Sequence, residues 1–365
     1  VRVVLLVTDL ERGGTPLRLA RLARGLLGAG VEVHVGCLAP SGPVSEQLTA
    51  AGVPTFACDA RSARDLSALR RLDEHIRRIH PDLIHATLTH ANVAARLIGL
   101  LRRIPVIGST ATIEVERRWH RWAELLTARV DRRHIVTSVA LADHVARAFL
   151  LPRRRIRIVP PALDPPAQRV DRAAARAALG VLPQEFVVLW AGRFDPVKRV
   201  DLVIRCAEIM SVVPSRFLIA GDGPDRLRVE QAVRLGSAAG RVHLLGWRDD
   251  LDPLFAAADC LLFPSRTEGM PNVVLQAMAA GLPVVASDIP ALRDLSAGGR
   301  RLVLVAGDEP QPFARALLDL REHPAERTAL ARAAANWAAA NLDPQRTLTA
   351  LTRVYRQTLR TRRHC

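Results

Sequence analysis

Among the 52 lysines and arginines of this 365-residue chain there is a single lysine, Lys198. Aromatic residues are nearly as scarce at 4%, with one tyrosine, Tyr355. That scarcity removes the stacking platforms on which single-stranded nucleic acids are held. No run approaches the roughly 18 apolar residues a membrane span requires, so the chain is expected to be soluble or at most peripheral. The five cysteines (Cys37, Cys58, Cys206, Cys260, Cys365) show no CxxC or Cys/His ligand spacing. They read as reduced, mostly buried thiols of a cytoplasmic protein, and no metal site is expected. The opening Val1–Val7 is too short and too β-branched for a signal peptide.

What is present is a basic, ordinary-looking globular composition: 49% hydrophobic, 24% charged, net charge +16. Residues 1–165 carry 25 Arg against 15 Asp and Glu, so the excess leans toward the N-terminal half. An anionic partner is implied, either phosphate or lipid headgroups. Nucleic acid has only net charge in its favour and is not expected.

The length exceeds what one hydrophobic core supports, so two domains are expected. Continuous apolar runs at 1–8, 31–38, 82–86, 104–110, 134–138 and 156–160 read as strands. Between them lie helical patterns such as Pro16–Leu27, Leu66–Ile79 and Ala91–Leu101. Strands that are apolar throughout and alternate with helices imply a parallel sheet covered on both faces. The proline cluster Pro160-Pro161-Ala162-Leu163-Asp164-Pro165-Pro166 reads as a linker. The pattern restarts with a helix near 171–179 and strands at 186–192, 216–220, 241–245, 259–263, 283–286 and 302–305. The fold class is therefore α/β, with two doubly wound, Rossmann-like domains at 1–165 and 166–343. A final helix within 344–365 is expected to pack back on the first domain.

Four segments fall at strand ends, where such sheets bind ligands. Thr8–Pro16 holds Gly13 and Gly14 at the start of a helix, a backbone cradle for phosphate or a plain tight turn. Arg193 and Lys198 place two cations on one loop, Arg as a planar fork and Lys as a compact point charge. Ala220-Gly221-Asp222-Gly223-Pro224 is a permissive turn whose glycines can admit a base or ribose close to the backbone. The longest signal is Phe263–Ala286, where Glu268 precedes a Gly269-Met270-Pro271 turn, a helix carrying Asn272 and Gln276, and Gly281-Leu282-Pro283-Val284-Val285.

Taken together, these segments resemble the retaining nucleotide-sugar glycosyltransferases of the GT-B fold, the family marked by E-x7-E ("glycosyl transferases group 1"). The resemblance is strongest from Trp190 to Ala286 and weaker through Gly13-Gly14 and Asp82-Leu83-Ile84-His85. It implies two domains facing across a cleft, with the donor held by the second. Arg193 and Lys198 would clamp the donor diphosphate, and Glu268 would face the donor sugar. Gly269, Met270, Pro271 and Asn272 would approach sugar and phosphate, and Gly221 and Gly223 would line the nucleotide. Gly13 and Gly14 match the N-terminal loop that meets the phosphate. The implied donor is a UDP- or GDP-sugar, with no further cofactor and no metal, and the acceptor is a saccharide or lipid-linked hydroxyl. Retention of anomeric configuration would follow, with the leaving phosphate itself taking the acceptor proton.

Three departures stand out. The second family Glu is Gln276, which can hydrogen-bond a ribose without a carboxylate's charge. The usual Pro-Asn-Gly-x-Asp linker reads Pro160-Pro161-Ala162-Leu163-Asp164. The His that many relatives carry after the strand at 104–110 is absent from Gly108-Ser109-Thr110-Ala111-Thr112-Ile113-Glu114. Thr110 and Thr112 are thus acceptor-side candidates, as are His85 and His90, read as lying in a neighbouring loop. These losses motivate an alternative, a catalytically weakened protein that binds a nucleotide-sugar or a membrane surface as an adaptor. In 114–133, Trp119, Trp122, Leu126 and Val130 share one helical face flanked by arginines. That face either packs in the domain core or lies on an anionic membrane, which would make the protein peripheral on the inner face.

Overall fold

A computed structural model describes residues 1–62, 65–112, 118–163 and 170–360. The chain divides into two compact units, 1–162 with 342–365, and 163–341. The first begins β1 (Arg2–Val7), α1 (Gly14–Gly28), β2 (Glu32–Cys37), α2 (Pro43–Ala50) and β3 (Thr55–Ala57). It continues α3 (Leu66–Ile79), β4 (Leu83–Thr87), α4 (Thr89–Arg102), β5 (Val106–Thr110) and α5 (Arg118–Thr127). After a short 3-10 turn follow β6 (Arg133–Val136), α6 (Val139–Ala148) and β7 (Ile156–Ile158).

The second unit runs α7 (Arg172–Ala178), β8 (Phe186–Ala191), α8 (Val200–Ile209), β9 (Ser215–Ala220), α9 (Arg226–Leu235) and β10 (Val242–Gly246). Then come α10 (Asp252–Ala257), β11 (Cys260–Phe263), α11 (Asn272–Ala279), β12 (Val284–Ser287) and α12 (Pro290–Ser296). It closes with β13 (Val303–Val305), α13 (Pro310–Glu322) and α14 (Pro324–Asn341). The last helix, α15 (Pro344–Arg360), belongs to the first unit.

Both sheets are parallel. Strand order is β3-β2-β1-β4-β5-β6-β7 in the first unit and β10-β9-β8-β11-β12-β13 in the second. Alternation along β1 explains the two-faced burial. Val3, Leu5 and Val7 pack with α1 and the Leu351 and Val354 face of α15, while Val4 and Leu6 pack with α3 and α4. In the second unit Trp190, Phe217 and Phe313 anchor one large core. Several helix starts are set locally. Asp65 accepts from Ser67 N–H and Ala68 N–H, Ser138 from Leu141 N–H, and Asp171 from Ala174 N–H.

Two differences from the sequence reading concern the first unit. The edge strand β3 escaped it, because three half-buried residues give no apolar run. The core placement of the tryptophans is overturned: Trp119 and Trp122 are 47% and 61% exposed, and Leu126 is 78% exposed. Helix α5 instead turns His120 and Glu124 inward, both buried. The reason is Arg96 of α4, fully buried and in need of carboxylate partners. Its guanidinium donates to Glu124 Oε2 at 2.7 Å and, in a fork, to Asp131 Oδ1 at 2.8 Å and Oδ2 at 2.7 Å. Charge pairing, not apolar packing, orients this helix. Four cysteines, Cys37, Cys58, Cys206 and Cys260, are free and buried, and burial pushes each thiol up to about 12.

Candidate active site

In the second unit strand order reverses between β8 and β11, so their loops diverge and leave a crevice at the carboxyl ends. Asp195 shapes the β8 loop: it accepts from Val197 N–H at 3.1 Å and from Arg193 Nη2 at 2.7 Å. The β11 loop is strapped to it by Arg266 N–H donating to the Val197 carbonyl at 3.0 Å. That strap brings Lys198 Nζ into contact with Glu268 Oε1, an ion pair between residues 70 apart in sequence. Lys198 also lies over the Phe263 ring, 5.6 Å from its centroid. Its side chain is 27% exposed and that of Glu268 10%, against 58% for Arg193. The lone lysine is therefore the sheltered cation of the crevice, and Arg193 the exposed one.

Gly269 is buried and Met270 half-buried. Pro271 is the residue before α11, its carbonyl accepting from Leu275 N–H at 3.3 Å, and no side chain caps this helix end. The start of α11 thus stands just past Glu268, and the positive end of a helix favours an anion there. Gln276 is half-buried one turn further along. The glycines at 221 and 223 have a packing explanation. A Cβ on Gly221 would come within 1.9 Å of the Gly192 carbonyl oxygen, and one on Gly223 within 2.6 Å of the Phe194 oxygen. They let the β9 loop lie against the β8 loop, where Phe194 N–H donates to Asp222 O at 2.8 Å.

Sequence reading expected no acidic metal-ligand cluster, yet an Asp-x-Asp run stands at Asp250–Asp252. It has a local role: Asp250 accepts from Asp252 N–H at 2.9 Å at the start of α10. Burial and the neighbouring Asp250 raise the Asp252 carboxyl. Among the described residues no group of three His, Cys, Asp or Glu is placed to hold a metal ion.

In the first unit, Gly13 precedes α1 with extended backbone. The helix start has neither a side-chain cap nor an acidic residue in its first turn. A second feature of this unit is a small, solvent-open recess over the ends of β4 and β5. Leu88, Thr89, Thr110, Thr112, His120 and His144 contribute to its wall. Leu88 has φ +77°, a left-handed conformation that a leucine adopts only under constraint and that collects at functional sites. Burial, then Arg147 and Arg121, lower the His144 imidazole.

The histidine candidates fall elsewhere than expected, since neither lies in a loop. His85 is within β4, buried against α15, with Nδ1 2.8 Å from Tyr355 Oη and Nε2 without a hydrogen bond. Burial, then His134 and Arg18, push it down to about 4, which favours the neutral ring. His90 is on α4, its ring edge-on to Trp119 and His120 at 5.0 and 4.9 Å. Thr110 and Thr112 do line the recess. Missed altogether was His134, within β6 and directly behind the charged run Asp131-Arg132-Arg133. Its Nε2 lies 2.9 Å from Thr110 Oγ1, and its Nδ1 2.8 Å from Asp131 Oδ2. The residues at Ile113 and Glu114, and Asp164 of the linker, lie outside the described residues.

Two Rossmann-like units in one chain, each with a loop cluster at its switch point, define the GT-B fold. Residues 185–323 match the family model described as Glycosyl transferases group 1, and residues 12–166 match Glycosyltransferase Family 4. Each match falls largely within one of the two units. The chain is 32% identical over 235 residues to the D-inositol 3-phosphate glycosyltransferase of Streptomyces avermitilis, covering 58% of this chain and 49% of that protein. It therefore spans about half the length of the curated relatives of this name that it matches. A 25% identity over 272 residues relates it to the UDP-Gal:alpha-D-GlcNAc-diphosphoundecaprenol alpha-1,3-galactosyltransferase of Escherichia coli, covering 68% of this chain and 70% of that one. Among solved structures, Anabaena HepE in complex with UDP-glucose superposes with TM-score 0.85 at 21% identity, covering 98% and 99% of the two chains.

Proposed function

We propose that this protein transfers a sugar from a nucleotide-diphospho-sugar to an acceptor hydroxyl with retention of configuration and without a metal. The observation that carries the reading is the Lys198–Glu268 pair at the β8/β11 switch point, beside the uncapped start of α11. In sugar transfer the anomeric carbon becomes cation-like while the departing diphosphate gains negative charge. A sheltered ammonium and a row of helix N–H groups fixed before the reaction stabilise that charge as it develops. Arg193 adds a second cation, and Asp195 already limits its motion. Glu268 holds Lys198 in place until the diphosphate competes for it, and its carboxylate then faces the sugar. Gln276 is the ribose partner in this reading, and the Gly13-Gly14 turn brings the start of α1 to phosphate. The UDP-glucose bound to the Anabaena structure and the UDP-galactose in the E. coli relative's name support a UDP-sugar donor.

Thermal-shift titration tests this. A ligand at about 100 times its Kd adds about 2.7 kcal/mol of apparent stability. UDP, UDP-glucose or UDP-galactose are expected to raise Tm by several degrees, and GDP-sugars less. No shift with any nucleoside diphosphate would sink the reading.

A lipid-linked acceptor fits the surface of the first unit. Helices α4 and α5 pack on one another and expose Leu97, Leu100, Leu101, Trp119, Trp122 and Leu126. Arg102, Arg103, Arg121 and Arg129 are exposed on and beside the same helices. Indole rings and aliphatic side chains among arginines suit the headgroup region of an anionic bilayer, each cation contributing about 1 kcal/mol. Co-sedimentation with phosphatidylcholine vesicles containing phosphatidylglycerol should fall about tenfold or more in Trp122→Glu/Leu126→Glu. Binding that ignores either the anionic lipid or the double substitution removes the membrane from the proposal.

A further inference from the structure

We infer that Arg133, Arg155 and Arg157 form a second anion site, which takes a phosphate group at the end of the first sheet opposite the recess. The site goes beyond the transferase reading and does not depend on it.

Strand register brings the three together. Ile135 of β6 pairs with Arg157 of β7, and the same register two residues earlier sets Arg133 opposite Arg155. Residues two apart in a strand share a face, so Arg133 and Arg157 leave the same side of the sheet. Arg155 ends the short 3-10 turn that leads into β7. Arg133 opens β6 and the strands are parallel, so the group lies at amino ends, whereas the recess lies at carboxyl ends. β7 is the outermost strand, which leaves the group open on one side.

Among the described residues none of the three meets a carboxylate, and their hydrogen bonds go to backbone carbonyls. Arg155 Nη1 donates to the Arg129 carbonyl at 2.7 Å, and Arg157 Nη1 to that of Arg154 at 2.8 Å. Arg133 Nη1 donates to the Arg132 carbonyl at 2.9 Å. These ties fix the guanidinium groups and leave Nη2 and Nε of each without a hydrogen bond among the described residues. Arg133 Nε is also buried, and a folded protein offsets a buried donor with an acceptor. Burial, then Arg157 and Arg155, lower the Arg133 guanidinium, as expected where like charges are held together away from water. Charges on an outer strand also block unwanted pairing, but solvated, separate charges suffice for that. Here all three are half-buried. Pinned like charges with unused donor nitrogens match a tetrahedral oxyanion, because each guanidinium fork can meet two phosphate oxygens at once. Arg129, Arg132 and Arg154 stand exposed beside them and draw anions in.

A soluble phosphate compound and a lipid headgroup offer the same chemistry, and the test separates them. The full chain is titrated with inorganic phosphate and pyrophosphate at matched ionic strength, with excess UDP present so that the donor crevice is not counted. Either anion should raise the Tm of the parent. Arg133→Gln and Arg157→Gln should each weaken that response about tenfold, the loss of one charge-assisted hydrogen bond, and the double variant more. Arg157→Lys, which keeps the charge without the fork, should fall between. Arg228→Gln/Arg234→Gln removes the same charge from exposed positions on α9 and should respond like the parent. The Tm without added anion shows which variants fold, and the single substitutions carry the test if the double one does not. Co-sedimentation with phosphatidylcholine vesicles containing phosphatidylglycerol then identifies the source. A loss of about tenfold in Arg133→Gln/Arg157→Gln assigns the site to a headgroup phosphate. Unchanged vesicle binding beside a lost phosphate response assigns it to a soluble phosphate compound. Parent and double variant responding alike to both anions and to vesicles overturns the inference, as does an equal loss in the α9 control. Failure of the transferase reading would show separately, as a chain that UDP does not stabilise.

Discussion

Lys198→Ala is expected to lower kcat for donor turnover by about 10²–10³-fold, the cost of removing one preorganised donor from a developing anion. The structure sharpens why this cation rather than Arg193 should dominate. Lys198 is sheltered, stacked over Phe263 and paired with Glu268, whereas Arg193 is 58% exposed and partly neutralised by Asp195. A charge shielded from water acts with less screening than an exposed one. Lys198→Arg separates charge from shape. It keeps the positive charge but brings a wide planar fork into a space occupied by a thin stem between Phe263 and Glu268. A loss close to that of Lys198→Ala is expected, with steady-state turnover and UDP affinity measured side by side. Full activity in Lys198→Arg would mean that any cation suffices there, and full activity in Lys198→Ala would remove the residue from the mechanism.

Much of this site could be read before any coordinates. Continuous apolar runs separated by helical periods dictate parallel sheets buried on both faces, and in such sheets function gathers at strand ends. Arg193, Lys198 and Glu268 were accessible for that reason: each follows an apolar strand directly, and short loops leave little freedom over where they can go. What sequence could not supply was the reason for several residues. The glycines at 221 and 223 look like room for a ligand, and the structure adds a second reason for them, since the neighbouring loop occupies the place a Cβ would take. Gly108 gave no signal in its strand, and a Cβ there would come within 2.2 Å of Asp131 Oδ2.

The largest failure was α5. Its period places Trp119, Trp122 and Leu126 together, and hydrophobic pattern alone favours burying that side. A buried arginine 22 residues or more earlier in the chain reverses the choice, and periodicity within one helix carries no trace of such a partner. His134 was invisible for the same reason. Its meaning comes from Asp131 and Thr110, which only the pairing of β5 with β6 brings together.

The same buried network carries the largest expected effect on stability. Arg96→Met removes the one cation that satisfies both Asp131 and Glu124 while keeping most of the side-chain volume. Two carboxylates then remain buried, with Asn92 and His134 as their remaining partners. Breaking a buried pair from one side costs about 3–5 kcal/mol. For a unit of this size that corresponds to a Tm lower by about 10 °C. The pH dependence gives the test its direction. In the parent chain Asp131 is held below its ordinary value of 3.8, so its contribution is present above that pH and is lost as pH falls through the lower native value. Without Arg96 the balance inverts. Burial, no longer offset, raises the carboxyl of Asp131 above its unfolded value, so the folded variant takes up protons more readily than its unfolded chain. The deficit of Arg96→Met should therefore be greatest near pH 7 and narrow as pH falls toward 5. Urea denaturation of parent and variant at the two pH values measures it. An equal deficit at both would mean that the carboxylates stay ionised without the guanidinium, and that Arg96 acts through packing rather than charge.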